Sequence, residues 1–293
     1  MKITISGSLG NIGKHLAQIL INQGHDLTVI SSNADKTTAI EKIGAKAAIG
    51  SINDVPFLTS AFTGADAVFV MTPPNMGGKN IIQHTVDAGK AFTAAIQATG
   101  IKKVVMLSSI GADYENGTGP IKGLHYIEQL YKKLDHSTVT FLRAGYFYNN
   151  YFNDIPMIKH AGIMGANYPA DIKIPLVHPA DVALAAAEEL TKNSSGHNVR
   201  YIVSDFTTMT ELTKTFGKAI GSPDLKWVEF SDEQALNGMI EAGMPSEIAG
   251  LYMEMGQAIR NNKLQSDFET NGKPITGAIK IAEFAKEFAN QFN

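Results

Sequence analysis

Three glycines near the start of the chain have the spacing of a phosphate-binding turn. Gly7, Gly10 and Gly13 follow a β-prone segment, and apolar residues recur at helical spacing from Asn11 onwards. Residues without Cβ permit a sharp bend, the approach of a phosphate to the backbone and close packing of helix on strand, and the helix N-terminus favours an anion. The alternative is a glycine-rich turn that binds nothing. The residues assigned to a dinucleotide's diphosphate are Gly7, Ser8, Leu9, Gly10, Asn11, Ile12 and Gly13.

The residues after the second predicted strand bear on the choice of nucleotide. An acidic residue at this position commonly binds the free 2′-hydroxyl of NAD(H), but here Ser31, Ser32 and Asn33 occupy it and Lys36 follows. These four residues can bind a 2′-phosphate, and no carboxylate stands there to repel it. Asp35 is expected to complement the dipole of a helix capped by Asn33. We therefore expect NADP(H) to be preferred, with NAD(H) possible.

Polar residues or prolines follow three further predicted strands. Ligands of an open α/β sheet bind at the carboxyl ends of its strands, so these residues are candidates for the rest of the site. Proline can instead simply end a strand, and serine can close a turn. The expected contacts are Ser51 and Ile52 with the adenine, Thr72 and Pro73 near the nicotinamide ribose, Ser108 with the cofactor and Ser109 with the substrate.

The order of the elements predicts an α/β fold. Six β-prone segments alternate with helical ones as far as Arg143, which specifies a parallel sheet with right-handed crossovers. Beyond Arg143 the alternation stops and helical patterns dominate. We expect a Rossmann-type doubly wound sheet with a smaller, mainly helical C-terminal substrate region. The predicted NAD(P)-binding core spans residues 1–150 and the C-terminal region 151–293, of which about 176–203 return to the core.

An aromatic run and one histidine are candidates for contact with a substrate. Tyr146, Phe147 and Tyr148 follow the sixth strand, and they can form either a ring-stacking wall or part of the core. His125 lies on the preceding helix and can orient a substrate or donate a proton, although it can equally be a hydrogen-bonded helix residue. Asp181 is expected to serve the start of its helix.

Composition limits the classes of function. The 293 residues are 44% hydrophobic, which suffices for a sizeable core, and the absence of cysteine excludes disulfides and cysteine metal sites; no metal is predicted. A net charge of −3 with interspersed signs argues against direct binding to nucleic acid. No apolar run approaches the roughly 20 residues of a membrane helix. The first strand leaves no space for a signal peptide, so we expect a cytoplasmic protein without membrane contact.

Five motifs together resemble the NmrA-like family, within the atypical short-chain dehydrogenase/reductase superfamily. In order they are I-S-G-S-L-G-N-I-G, T-P-P, S-S, T-F-L-R-A-G-Y-F-Y-N-N and V-H-P-A-D-V-A. The resemblance spans essentially the whole chain and implies a Rossmann core with a C-terminal substrate region. It further implies either an NAD(P)H-dependent reductase of quinones, azo dyes or triphenylmethane dyes, or a regulator that binds dinucleotide without turnover. A homodimer or a regulatory protein partner is possible.

The chain lacks the tyrosine–lysine pair of the wider superfamily. Enzymes with Y-x-x-x-K use the lysine to lower the pKa of the tyrosine, but here Leu130 stands four residues after Tyr126 and Thr118 four after Tyr114. Epimerase or dehydratase chemistry is therefore disfavoured. Hydride transfer to a small aromatic acceptor is compatible with this loss, because the reduced acceptor can take its proton from solvent.

Three positions depart from the patterns that the resemblance implies. The family pattern H-x-x-x-E appears here as His125 with either Glu128 or Gln129. Reductase relatives often have arginine at the position of Ser32 and aspartate at that of Ser51. These departures bear on the helix register and on the contacts of the adenosine end.

Overall fold

The computed structural model describes residues 1–73 and 78–293. Its strands are β1 (Lys2–Ile5), β2 (Asp26–Ser31), β3 (Lys46–Ile49), β4 (Ala67–Val70), β5 (Lys103–Ser109), β6 (Thr138–Ala144), β7 (Tyr146–Phe147), β8 (Ile163–Ala166), β9 (Lys173–Val177), β10 (His197–Ile202), β11 (Asp205–Thr208) and β12 (Lys226–Glu229). Its α-helices are α1 (Gly13–Asn22), α2 (Thr37–Lys42), α3 (Val55–Phe62), α4 (Ile81–Thr99), α5 (Lys122–Tyr131), α6 (Ile155–Ala161), α7 (Pro179–Thr191), α8 (Met209–Ala219), α9 (Asp232–Glu241), α10 (Ser246–Arg260), α11 (Ser266–Thr270) and α12 (Ile281–Phe292).

Seven parallel strands form the main sheet and confirm the Rossmann-type prediction. Their order is β10-β6-β5-β4-β1-β2-β3. The chain leaves β1 towards β2 and β3, then returns to place β4 on the other side of β1. The strand order therefore reverses beside β1, and this switch point is where ligands of such sheets bind. Pro74 and Asn75, which belong to the predicted T-P-P-N turn after β4, lie outside the described residues.

The chain forms two compact units. Unit 1 comprises residues 1–109, 123–143 and 182–200, and unit 2 comprises residues 110–122, 144–181 and 201–293. The chain therefore enters each unit more than once, whereas the sequence predicted two domains separated at residue 150. These units describe packing, and the domain boundary at residue 150 stays a prediction.

Alternation along the strands builds the core of unit 1. Ile3 and Ile5 of β1 are fully buried on one face, whereas Thr4 faces the other side and donates a hydrogen bond to the carbonyl of Ala61 in α3 (3.0 Å). On that second face α3, α4 and α5 cover the sheet, and Phe62 stacks against Phe92 at 6.2 Å between ring centroids. The sheet that carries the candidate site is thus packed against helices on this face.

Unit 2 contains two small sheets that the sequence did not predict. β9 pairs with β11 in antiparallel fashion and with β7 in parallel, and β8 pairs with β12. Thr208 caps α8 in a capping box, because its hydroxyl accepts a bond from the Glu211 amide and the Glu211 carboxylate accepts one from the Thr208 amide. Among residues 1–73 and 78–293, no helix is long and apolar enough to cross a membrane.

Two carboxylates of unit 2 hold the segment that begins α12. Asp181 accepts hydrogen bonds from the amides of Ala278 and Ile279, both at 3.1 Å, and from the Ser204 hydroxyl at 2.6 Å. Asp205 accepts one from the amide of Ile281 at 2.6 Å. Asp181 does lie in the first turn of α7, as expected, but its carboxylate bonds to backbone nearly a hundred residues away. The aromatic rings of α12 then pack on α8, with Phe216 and Phe288 stacked at 4.3 Å.

Candidate functional site

The glycine turn lies at the switch point of the main sheet, directly after β1. Gly7 has a φ of +96°, a conformation that glycine adopts without strain. A Cβ at this position would also meet the Met71 sulfur at 2.4 Å. The turn is fastened to its neighbouring strands because the amide of Ser6 bonds to the carbonyl of Phe69 (2.9 Å) and that of Ser8 to the carbonyl of Ile30 (3.0 Å).

Gly13 allows α1 to start against the turn itself. A Cβ on Gly13 would lie 2.0 Å from the carbonyl oxygen of Ser8, which is far inside van der Waals contact. Gly10 is less constrained, since its Cβ would lie 3.2 Å from the carbonyl oxygen of Gly7. No side chain caps the N-terminus of α1, and the amide of Lys14 in its first turn bonds to the carbonyl of Gly10 at 3.0 Å. Anions bind well at such helix ends.

Two hydroxyls at this edge of the sheet are buried without a hydrogen-bond partner among the described residues. They belong to Ser8, inside the glycine turn, and to Thr72, just after β4. Burying a hydroxyl without a partner costs free energy, so each is suited to a bond with a ligand. The glycine turn and the two hydroxyls therefore fit the diphosphate and ribose of a dinucleotide. All of these residues are among the candidates predicted from the sequence.

The residues after β2 divide into one that holds the loop and others that are accessible. The Ser31 hydroxyl is buried, donates to the carbonyl of Asn33 and accepts from its amide, both at 3.2 Å. Asn33 caps the following turn by accepting a bond from the Asp35 amide at 2.8 Å, as expected. Ser32, Asn33 and Lys36 are exposed. Ser32 and Lys36 thus present a free hydroxyl and a cation beside the ends of β1 and β2.

The remaining candidates of unit 1 follow β3, β4 and β5. Ser51 is exposed, and its hydroxyl accepts a bond from the amide of Asn53 at 3.1 Å. Ile52 is partly buried against the core, and Pro73 is exposed beside Thr72. Because these strands are parallel, all of these residues lie at the same edge of the sheet.

A buried ion pair fixes the hydroxyl of Ser108 at the end of β5. Arg143 of β6 donates two bonds to Glu128 of α5, from Nε to Oε1 at 3.1 Å and from Nη2 to Oε2 at 2.8 Å. The Ser108 hydroxyl donates to Glu128 Oε1 at 2.6 Å, so towards any other group it can only accept. Glu128 is therefore the buried polar residue of this part of α5, whereas its neighbour Gln129 is partly exposed. Ser109, the next and last residue of β5, is partly buried.

His125 is partly exposed on α5. Its ring lies edge-on to that of Tyr126 at 5.6 Å between centroids. This geometry is compatible with both interpretations of the sequence. The role of His125 stays a prediction.

The three aromatic candidates of unit 2 have different surroundings. Tyr146 and Phe147 are partly exposed on β7, and the ring of Tyr146 lies 5.3 Å from that of Tyr151. Tyr148 is fully buried: its hydroxyl donates to Asp205 at 2.7 Å and its ring stacks on Phe284 at 5.2 Å. Tyr148 therefore packs the core of unit 2, which leaves Tyr146 and Phe147 as accessible rings.

Two features of the two units were not predicted from the sequence, although each had a signal there. Arg143 is the one charged residue of β6 and lies next to its end, and a buried arginine requires an acidic partner. Glu128 lies on the apolar face of α5 with Leu124, Ile127 and Tyr131, which could have identified it. Asp154 of unit 2 is partly buried, and burial raises the pKa of its carboxyl group to about 7. Only its proximity to an aromatic run pointed to it in the sequence.

Comparisons with known proteins agree with this geometry. A model of the NmrA-like family matches residues 1–284. The chain is 26% identical over 297 residues to an NAD(P)H azoreductase of Xenophilus azovorans, a match that covers 99% of both proteins. The structure of an NADPH-dependent quinone oxidoreductase from Escherichia coli complexed with NADPH superposes with a TM-score of 0.83, at 21% identity over 97% of this chain and 99% of that one. Triphenylmethane reductase of a Citrobacter species also gives 0.83, at 18% identity over 99% of this chain and 100% of that one.

Proposed function

The chain belongs to the NmrA-like family, and from this premise we propose that it is an NAD(P)H-dependent reductase of small planar acceptors such as quinones or dyes. The observation that carries the proposal is the glycine turn at the switch point, together with two buried hydroxyls that have no partner among the described residues. These hydroxyls belong to Ser8, within the turn, and to Thr72, just after β4. Relatives named as azo, quinone and triphenylmethane reductases support the choice of acceptor.

NADP(H) is the preferred nucleotide in this proposal. The amides and glycines of the turn bind its diphosphate, while Ser32 and Lys36 bind the 2′-phosphate. The relatives from Escherichia coli and Citrobacter were solved with NADPH and NADP(H), respectively. Asp35 does not oppose this choice, since it lies in the first turn after the Asn33 cap.

The side chains of the protein bind and orient the reactants, and the nicotinamide supplies the hydride when it is bound. Thr72 offers a hydroxyl to the nicotinamide end. Ser108 can accept a bond there but cannot donate one, because its hydroxyl already donates a hydrogen bond to Glu128. Tyr146 and Phe147 offer rings on which a flat acceptor can pack. No tyrosine–lysine pair is needed, because reduced quinones and dyes can be protonated from water.

An oxidation assay tests the function. The purified protein is mixed with NADPH and with a panel of small quinones and azo dyes, and the loss of NADPH absorbance is followed. We expect oxidation that depends on both the protein and the acceptor. Tight NADPH binding with negligible oxidation across the panel would contradict the proposal and favour a dinucleotide sensor that acts on a protein partner.

Changes after β2 should alter the preference for NADPH. Ser32→Arg is expected to tighten NADPH binding about tenfold, because a guanidinium forms charge-assisted bonds with a 2′-phosphate worth about 1.5–3 kcal/mol. Lys36→Ala should weaken NADPH binding several-fold and leave NADH binding unchanged. Calorimetric titration with both nucleotides measures these effects.

A lysine farther along the same segment provides the control. Lys42→Ala removes an exposed cation from the end of α2 and should change neither affinity. Equal losses for NADPH and NADH on replacing Lys36 would mean that this lysine does not face the 2′-position.

A further inference from the structure

The side chain of Met71 lies against the first glycine of the turn. β1 and β4 are paired so that Ile5 lies beside Phe69. Two residues farther along, Gly7 and Met71 are neighbours in the same way. A Cβ on Gly7 would overlap the Met71 Sδ and would lie 3.0 Å from its Cγ and 3.6 Å from its Cε. The thioether therefore fills the space that the missing Cβ leaves, and both residues belong to unit 1.

The backbone of Met71 is fixed to β1. Its amide donates a hydrogen bond to the Ser6 hydroxyl at 2.8 Å, and that hydroxyl donates to the Met71 carbonyl at 3.3 Å. Ser6 is fully buried, and its own amide bonds to the carbonyl of Phe69. Because the two segments are joined here, a larger Met71 side chain must be accommodated by its own rotation or by movement of the glycine turn.

The chain offers methionine but no thiol to an oxidant. It has eleven methionines and no cysteine. Met106, Met164 and Met209 are buried, but Met71 is partly exposed. A peroxide converts an accessible methionine into its sulfoxide, and methionine sulfoxide reductases reverse the change. Met71 is thus open to this chemistry at a position in contact with the glycine turn.

We propose that Met71 is a modification site at which hydrogen peroxide oxidises the thioether to a sulfoxide and thereby weakens the binding of NADPH. The sulfur attacks one peroxide oxygen, and an S–O bond forms as the O–O bond breaks. The transferred oxygen gives its proton to the departing hydroxide, which leaves as water, so the sulfur loses two electrons and the peroxide gains them. The inference rests on the proposed binding of NADP(H) at the glycine turn and adds a control of that binding.

The sulfoxide changes the space beside the turn in two ways. Its oxygen enlarges the side chain where the thioether already occupies the place of a Cβ on Gly7. It also makes an apolar side chain polar, with partial negative charge on an oxygen that can only accept hydrogen bonds. The oxygens of a diphosphate are acceptors as well, so the sulfoxide repels the anion and competes with it for the donors of the turn.

Titration with NADPH before and after oxidation tests this inference. The purified protein is treated with dilute hydrogen peroxide, the peroxide is removed with catalase, and mass spectrometry locates the sulfoxides. We expect a sulfoxide at Met71 and an NADPH affinity lower by about tenfold or more, because a polar group is forced against one with which it cannot pair. Treatment with the two methionine sulfoxide reductases, one for each epimer, should restore the affinity.

Two replacements separate Met71 from the other methionines. Met71→Leu cannot be oxidised at this position, so its NADPH affinity should be the same before and after peroxide. Met71→Gln carries a polar oxygen near the position of the sulfoxide oxygen, and without any peroxide it should bind NADPH less tightly than Met71→Leu. Met239→Leu is the matched control: it removes a partly exposed methionine of α9 and should lose affinity on oxidation as the wild type does.

Several results would overturn the inference. If Met71 stays unoxidised while Met239 is modified, peroxide does not reach the proposed site. Unchanged NADPH affinity with a sulfoxide at Met71, or an equal loss of affinity in oxidised Met71→Leu, would mean that oxidation of this residue does not control binding. Failure of the untreated wild-type protein to bind NADPH would instead reject the proposed nucleotide site itself.

Discussion

Gly13→Ala is expected to weaken NADPH binding by about 100-fold or more. The new Cβ would lie 2.0 Å from the backbone carbonyl oxygen of Ser8, and a backbone atom cannot move away as a flexible side chain can. Either α1 or the glycine turn must shift, which displaces the amides that we propose to hold the diphosphate. A displacement of about 1 Å in a positioned group commonly costs a factor of about 100. Calorimetric titration with NADPH measures the loss.

Two other glycine replacements separate this effect from a general loss of folding. Gly10→Ala brings a Cβ to 3.2 Å from the carbonyl oxygen of Gly7, so a smaller loss of affinity is expected from the same turn. Gly238→Ala, in α9, meets nothing within 4 Å and should raise the free energy of unfolding by about 0.5–1 kcal/mol without changing affinity. Normal NADPH binding by folded Gly13→Ala would show that the turn does not hold the nucleotide.

Arg143→Ala is expected to lower the free energy of unfolding by about 3–5 kcal/mol, because it leaves the Glu128 carboxylate buried without its cation. The side chains of Arg143 and Glu128 are only 6% and 0% exposed, so water cannot replace the lost partner. Denaturation by urea, followed by circular dichroism, measures the change. The exposed pair of Lys46 and Asp26 provides the control, and Lys46→Ala should cost less than about 1 kcal/mol.

Removing both charges should cost less than removing one. The double variant Glu128→Leu with Arg143→Met replaces the ion pair by apolar groups of similar size, and such replacements are often close to neutral. We therefore expect the double variant to be more stable than Arg143→Ala. A double variant that loses as much as the two single changes added together would mean that the two residues act independently.

The glycine turn could be predicted because its signals are local. The change from a period of two to a helical period occurs within a few residues, and the glycines stand between the two patterns. The parallel sheet could be predicted for a related reason: the alternation of strand and helix recurs five times, and handedness leaves few topologies for it. Cofactor candidates such as Ser8 and Thr72 followed from the rule that ligands bind at strand ends.

Features that depend on distant pairing could not be predicted in the same way. The two residues of β7 count as a strand only because β9 lies beside them, about thirty positions later. The carboxylate of Asp181 bonds amides near residue 278, and no pattern around V-H-P-A-D-V-A carries that information. The register of α5 was open for a different reason, since Glu128 and Gln129 both follow His125 at about the family spacing. The apolar face that Glu128 shares with Ile127 and Tyr131 favours Glu128, which is buried beside Arg143.

The attachment of α12 has a consequence for how the protein is made. Asp181 and Asp205 receive their backbone partners from residues 278–281, and Phe216 receives its stacked neighbour from Phe288. During translation, the segment that contains Asp181 therefore leaves the ribosome about a hundred residues before its partners do. Unit 2 therefore cannot complete its packing until α12 emerges, and until then it exposes apolar surface. Nascent chains in this state are candidates for chaperone binding.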